Sequence, residues 1–174
     1  MISDFRLYVC NFIIAYIPFH AIRISYYKYV MGFEIGQGSS IHLGCVFNCK
    51  GNFKIGLNST INQFCRIDNR GGIYIGNNVS ISPYAKLITA DHDLYNPECY
   101  GREKPIIIKD YCFIGSDAMI LPGVTMEKGA ALAAKSLLHE NAKSDSIYVG
   151  IPATPRKNRG GIYTYSASYK RWFH

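Results

Sequence analysis

Short Cys-x-x-Cys pairs are missing from this sequence, although it holds six cysteines (Cys10, Cys45, Cys49, Cys65, Cys99, Cys112). That absence excludes a dithiol redox motif and the common zinc frameworks. The start of the chain lacks the charge pattern and cleavage site of a secretory leader. The expectation is therefore reduced thiols in a cytoplasmic protein. Histidines are few and scattered (His20, His42, His92, His139, His174), with no closely spaced pair, so no metal centre is expected. Long apolar runs are absent too. The best, 12–17, ends at Pro18 after six residues, and a membrane span needs ~20. Charge is sparse at 18% and acid is the scarcer sign, with 12 Asp and Glu against 19 Lys and Arg. The surplus favours anionic partners such as a phosphorylated cofactor or phospholipid headgroups. No nucleic-acid motif accompanies it, so nucleic acid is not an expected partner. Hydrophobic residues at 48% exclude a disordered chain.

What is present is a repeat. Ile35-Gly36, Ile55-Gly56 and Ile75-Gly76 recur every 20 residues, and within each interval a large apolar residue returns at six-residue steps. The anchors are Ile35, Ile41 and Phe47, then Ile55, Ile61 and Ile67, then Ile75, Ile81 and Leu87. The series resumes at Ile108 and continues through Ile114, Ile120, Met126, Leu132 and Leu138. Four residues after the anchors stand small residues such as Ser39, Cys45, Ser59, Cys65, Ala85, Cys112, Ala118 and Ser136. A helix would place apolar residues at three- and four-residue steps and a plain sheet would alternate them. A six-residue period fits a triangular coil, in which each anchor points inward and the small residue occupies a corner. Stacked coils then form an all-β solenoid of parallel strands. The extra pairs Phe53-Lys54 and Ile73-Tyr74 read as two-residue bulges at one corner. Residues 1–34 lack the repeat and read as a short helical cap over the first coil's open backbone. Arg6, Arg23 and Lys28 beside aromatics also keep a peripheral membrane contact open. The solenoid occupies 35–157, and 158–174 is a basic, Tyr-rich tail.

The pattern Ile-Gly-x-x-Ser/Ala/Val-x resembles the hexapeptide-repeat acyltransferases. That resemblance implies a left-handed parallel β-helix and a homotrimer. The repeat breaks once, between Leu87 and Ile108, where a loop (91–107) opens on Asp91-His92-Asp93. Loops extruded from a solenoid tend to mark the binding face. The stretch from Ile75-Gly76 to Asp91-His92, with Pro105 before the repeat resumes, is similar to the sugar O-acetyltransferases of this superfamily. The resemblance makes His92 the catalytic base and Asn62 the residue that positions the acceptor. A neutral imidazole can take the proton of a sugar hydroxyl as it attacks a thioester, with no serine or cysteine nucleophile. Either flanking carboxylate, or a backbone carbonyl, could fix the ring's tautomer.

The coils Phe113-Ile114-Gly115-Ser116-Asp117-Ala118 and Ala131-Leu132-Ala133-Ala134-Lys135-Ser136, followed by Val149-Gly150-Ile151-Pro152-Ala153, resemble the acetyl-CoA half of such a site. The resemblance implies backbone amides of Ser116 and Ala134 on the pantetheine arm, with small residues at Gly115 and Ala133 for close approach. Arg156, Lys157 and Arg159 would lie near the CoA phosphates, or form a solvated basic tail. His139-Glu140 and Lys135 depart from the family pattern. The lead-in (Ile17-Pro18-Phe19, Arg23, Tyr26-Tyr27, Gly32) is similar to acetyltransferases of polysaccharide assembly. It points to a sugar, sugar-nucleotide or lipid-linked sugar acceptor, in the cytoplasm or at the inner face of its membrane. The rival readings are N-acetylation of an amino-sugar nucleotide and a non-catalytic solenoid scaffold. A scaffold gives no reason for the repeat to break at His92.

Overall fold

Hexapeptide periodicity becomes geometry directly. The structure, a computed structural model, describes residues 2–168, with side chains from Asp4 onward. Each turn lays one short strand on each of three faces. The first face stacks Glu34–Ile35, Phe53–Ile55, Ile73–Ile75, Ile106–Ile108 and Thr125–Met126 in parallel. The second stacks Ser40–Ile41, Thr60–Ile61, Ser80–Ile81, Phe113–Ile114, Ala131–Leu132 and Ser146–Gly150. The third stacks Val46–Phe47, Arg66–Asp68, Lys86–Ile88, Met119–Ile120 and Leu137–Leu138. The fold expected from the repeat, a parallel β-solenoid with a helical N-terminus, is the fold observed.

Register follows the anchors: Ile41 pairs with Ile61 and Ile61 with Ile81, while Ile55 pairs with Ile75 and Ile75 with Ile108. Every anchor from Ile35 to Leu138 is buried, so the core is a stack of aliphatic layers at close-packed density. The small corner residues have a reason beyond size. The Cys45, Cys65 and Cys112 thiols are buried and point their Sγ at backbone oxygens of Asn62, Ser82 and Glu127 at 3.1, 3.3 and 3.1 Å. All six cysteines are free thiols. Burial pushes the Cys112 thiol up to about 12, so it carries no thiolate at neutral pH.

One expectation needs correcting. The extra pairs at Phe53 and Ile73 are not bulges. They lengthen the first-face strands to three residues, pair with one another in register, and bury Phe53 and Ile73.

The first coil would expose unpaired backbone without a cover. Helices α1 (Ile2–Phe12) and α2 (His20–Tyr29) supply one. The Asn11 side-chain amide donates to Phe47 O and accepts from Phe47 N, at 2.8 and 3.0 Å. Gly44 N donates to Ala15 O and Gly51 N to Met31 O, both at 2.8 Å. Tyr27, Phe33, Phe47 and Phe53 close the end with ring centroids 4.7 to 6.0 Å apart, a spacing that favours tilted and edge contacts.

At the far end, Ala153–Asn158 folds back antiparallel on Ser146–Gly150. The tail then descends over the second face. Arg159 donates to the carbonyls of Tyr111 and Gly129 at 2.9 Å each, Tyr163 stacks on Tyr111, and Thr60 Oγ1 donates to Ala167 O at 2.7 Å. The basic tail is therefore a strap as far as Ser168, and its last residues, 169–174, lie outside the described ones.

Candidate active site

The break in the repeat is a β-hairpin at the corner between the third and first faces. Ala90–His92 pairs antiparallel with Gly101–Glu103, setting His92 opposite Gly101 and Asp91 opposite Arg102. Its root is fixed by Thr89, whose Oγ1 donates to Asp68 O at 2.6 Å and accepts from Gly71 N at 2.9 Å. Arg102 grips Asp91 through two bonds of 2.9 Å and also stands 3.7 Å from Asp93. The Arg102 bonds hold the Asp91 carboxyl below the usual carboxylate range. Both acids flanking His92 are thus engaged by one guanidinium. Neither orients the ring.

The orienting group is a backbone carbonyl. His92 Nδ1 lies 2.8 Å from Cys99 O. A carbonyl only accepts, so Nδ1 carries the proton and Nε2 of the neutral ring keeps its lone pair. His92 is exposed and lines a cleft of about 250 Å³ with Arg70, Asp91, Arg102 and Glu103. The unprotonated Nε2 is thus on an exposed side chain at the cleft.

Asn62 is elsewhere. It begins a turn at the corner between the second and third faces, where its Nδ2 donates to Ile81 O at 2.9 Å. It borders a groove of about 500 Å³ with His42, Thr60, Arg159 and the strap. Within one chain, then, Asn62 and His92 occupy different corners of the prism and are not brought together.

Ser116 and Ala134 share the Asn62 corner, higher up. They line a groove of about 540 Å³ together with Phe64, Tyr84, Lys86 and Asp117. What distinguishes this corner is its amides. At the corner between the first and second faces, two turns have the N–H of their second residue taken by a side chain one coil up. Leu57 N donates to Asn77 Oδ1 and Asn77 N to Asp110 Oδ1, each at 2.7 Å. Ser116 and Ala134 hold the matching positions and are exposed, with no such side chain over them among the described residues. Gly115 has a structural requirement of its own. A Cβ there would meet Ala134 N at 2.3 Å, so coil stacking alone demands glycine.

Arg156 and Lys157 are exposed on the strand at the upper rim of the second face. Arg159 parts company with them. Besides its two carbonyl bonds, its guanidinium lies 4.7 Å from the Tyr163 ring centroid, which commits it to holding the strap. Sequence reasoning missed Arg102 and the Phe64–Tyr84 stack. The first had a signal, since an acid pair facing an arginine across a short loop is a cross-strand ion pair.

A parallel solenoid that extrudes a histidine hairpin at one corner and opens backbone amides at another defines a class of fold and site. No protein-family model matches the chain. Among solved structures, a hexapeptide-repeat-containing acetyltransferase from Vibrio cholerae superposes with a TM-score of 0.82 and 25% identity, covering 88% of this chain and 89% of that one. A galactoside acetyltransferase solved with coenzyme A shares the fold at a TM-score of 0.80 and 22% identity, over 97% of this chain and 86% of the other. Over 54 residues the chain is 35% identical to a dTDP-4-amino-4,6-dideoxy-D-glucose acyltransferase of Escherichia coli, 31% of this chain and 28% of that enzyme. The chain spans about a fifth to two fifths of the length of the curated relatives it matches. By fold and by repeat the chain is similar to the hexapeptide-repeat acetyltransferases, as the resemblance in its sequence implied.

Proposed function

We propose that this chain is an acetyl-CoA-dependent O-acetyltransferase that acts on a hydroxyl of a sugar or polysaccharide precursor, with His92 as general base. The observation that carries the reading is the contact between His92 Nδ1 and Cys99 O, which leaves Nε2 as the proton acceptor. Acetyl-CoA supplies the acetyl group as a thioester. Nε2 takes the hydroxyl proton while the oxygen forms its bond to the acetyl carbon. The thioester C–S bond then breaks, the departing sulfur takes the proton back from Nε2, and CoA leaves as the thiol, so no covalent enzyme intermediate is needed and the ring returns neutral. The open amides of Ser116 and Ala134 suit a pantetheine arm, which asks for hydrogen bonds and no charge. Arg156 and Lys157 are free to meet its phosphates.

The working unit is a homotrimer, in which the hairpin corner of one subunit meets the amide corner of the next. Both corners flank the third face, and the strap covers the second, so a threefold axis running along the third face brings the two half-sites together. Asn62 of one subunit then positions the acceptor beside His92 of its neighbour. At the cap, Phe5, Tyr8 and Phe12 form one exposed stripe of α1 at three- and four-residue spacing, with Ile13, Tyr16 and Phe19 beside it. With the chain's +7 charge, this stripe supports peripheral contact with an anionic membrane from the cytoplasmic side. No helix among the described residues is long and apolar enough to cross one.

N-acetylation of an amino-sugar nucleotide is the second reading, favoured by the likeness to the dTDP-amino-sugar acyltransferase. The test is CoA release from acetyl-CoA against sugars, sugar nucleotides and lipid-linked sugars, with His92→Ala in parallel. Turnover on an amino sugar alone selects the second reading. Turnover that survives His92→Ala rejects the base.

A further inference from the structure

Each turn at the corner between the second and third faces ends in a left-handed residue. Ascending the corner these are Gly44, Phe64, Tyr84, Asp117 and Lys135, with φ from 56° to 70°. Left-handed backbone favours Gly and Asn and disfavours bulky side chains. The corner between the first and second faces obeys that rule with Gly38, Asn58, Asn78 and Gly129. Its one bulky exception, Tyr111, is covered by the strap, with Tyr163 stacked 5.3 Å away. Phe64 and Tyr84 break the rule, and among the described residues no strap lies over them.

Their rings stack on each other, centroids 5.4 Å apart and planes 15° from parallel, and they are 45% and 55% exposed. Below them the corner narrows to Gly44, where a Cβ would lie 2.3 Å from the Phe64 ring. Above them stands the Lys86–Asp117 ion pair, and the same groove continues to Ser116 and Ala134. Asn62 is two residues before Phe64. An aromatic wall, a charged pair offering donors and acceptors, and the open amides therefore follow one another along a single groove.

We propose that Phe64 and Tyr84 form the platform on which the apolar face of the acceptor's pyranose ring rests, with Lys86 and Asp117 meeting its hydroxyls. The proposal rests on the acyltransferase reading, because it places the acceptor at the end of the groove below the pantetheine amides. A pyranose presents C–H groups on one face and hydroxyls at its rim, which matches an exposed ring bordered by a salt bridge. The order along the corner separates acceptor from cofactor. The rings lie in the second and third coils, and the third is the coil that extrudes His92.

The left-handed backbone makes the test clean. Asn suits both positions, so Phe64→Asn with Tyr84→Asn keeps the turns and should leave the melting temperature equal or higher. Saturation-transfer NMR on the full chain uses methyl α-D-glucopyranoside, methyl β-D-galactopyranoside and N-acetylglucosamine as probes, with CoA in the same tube. Wild type should pass saturation to ring C–H protons of at least one pyranoside, and the double variant should weaken that binding about tenfold. CoA signals should be the same in both. Silent pyranosides in wild type, or an unchanged signal in the variant, overturn the platform. So does loss of the adenine signal in the variant, which would assign the rings to the nucleobase. A wild type that ignores CoA sinks the acyltransferase reading instead, and is read from different resonances.

Discussion

Two inactive variants of this chain should restore each other. One face of the prism is six residues of chain, at most ~20 Å long at 3.3 Å per residue. His92 lies beyond one end of the third face, on a hairpin that projects outward, and Asn62 lies at the other end. A general base must come within ~3 Å of its proton, and within one chain a face of the prism lies between the two, so the proposed site pairs them across subunits. His92→Ala should lower kcat by a factor of ~10²–10⁴, which is about 3–5 kcal/mol of transition-state stabilisation. The fold should survive, because the side chain is exposed and its hydrogen bond to Cys99 O is worth only about 1 kcal/mol. Asn62→Ala should lower activity at least roughly tenfold. Coexpression of the two with different tags gives mixed trimers that can be purified through both. In a random mixture a site is intact when its histidine comes from the Asn62→Ala chain and its asparagine from the His92→Ala chain. Every 2:1 trimer retained by both tags has one such site among its three, so about a third of sites are active. Specific activity near a third of wild type, in a particle near three times the mass of the chain, is the expected result. Activity equal to the mean of the two parents would place both residues in one subunit and refute the geometry.

Replacing Arg156 and Lys157 by Ala should raise the KM for acetyl-CoA and leave kcat nearly intact, the pattern of lost uniform binding, checked by steady-state kinetics. Asp68 gives an acid-stability prediction. Its burial pushes the carboxyl up, but two bonds of 2.8 Å from Arg70 outweigh that and hold it below its ordinary value. A depressed carboxylate stabilises the fold above its unfolded pKa and loses that contribution as pH falls through the folded value. Arg70→Met should therefore move acid unfolding, followed by circular dichroism, to higher pH. Flotation with vesicles of anionic lipid should carry wild type upward, and Phe5→Ser with Phe12→Ser should abolish it. Equal flotation with neutral vesicles would remove the electrostatic part of that contact.

The core was the most legible part of the molecule, because a six-residue period admits one way of burying its anchors. Ile41, Ile61 and Ile81 could be stacked from their spacing alone. The hairpin was legible as a break, but not as a hairpin. Its pairing depends on Asp91 meeting Arg102 across ten intervening residues, a contact hinted at only by an acid pair facing an arginine. The ring-orienting group was illegible in principle. A carbonyl such as that of Cys99 belongs to every residue, and only the turn of the chain decides which one faces a histidine. Arg159 misled for a related reason. Three basic residues in a row of four look like one cluster, yet a strand that ends at Asn158 sends the third back toward Tyr111.

The three corners of this prism are built from one hexapeptide and do three different things. At the first, Asn77 and Asp110 reach down one coil and close the amides of Leu57 and Asn77, which ties neighbouring coils together. At the second, Gly115 and Ala133 let the coils stack, Ser116 and Ala134 leave their amides open, and aromatic rings stand where Asn would be easier. At the third, the extra residues of the early coils grow into the His92 hairpin. Function in a repeat protein is therefore located by where the repeat is locally disobeyed without a structural gain. Tyr111 disobeys and gains the strap, so it marks no site. Phe64, Tyr84 and the Asp91-His92-Asp93 run disobey, and their internal contacts, a half-exposed ring stack and an exposed ion pair, give the chain little in return. Departures of that kind persist where something outside the chain completes them, which is the role proposed above for a neighbouring subunit and the two substrates.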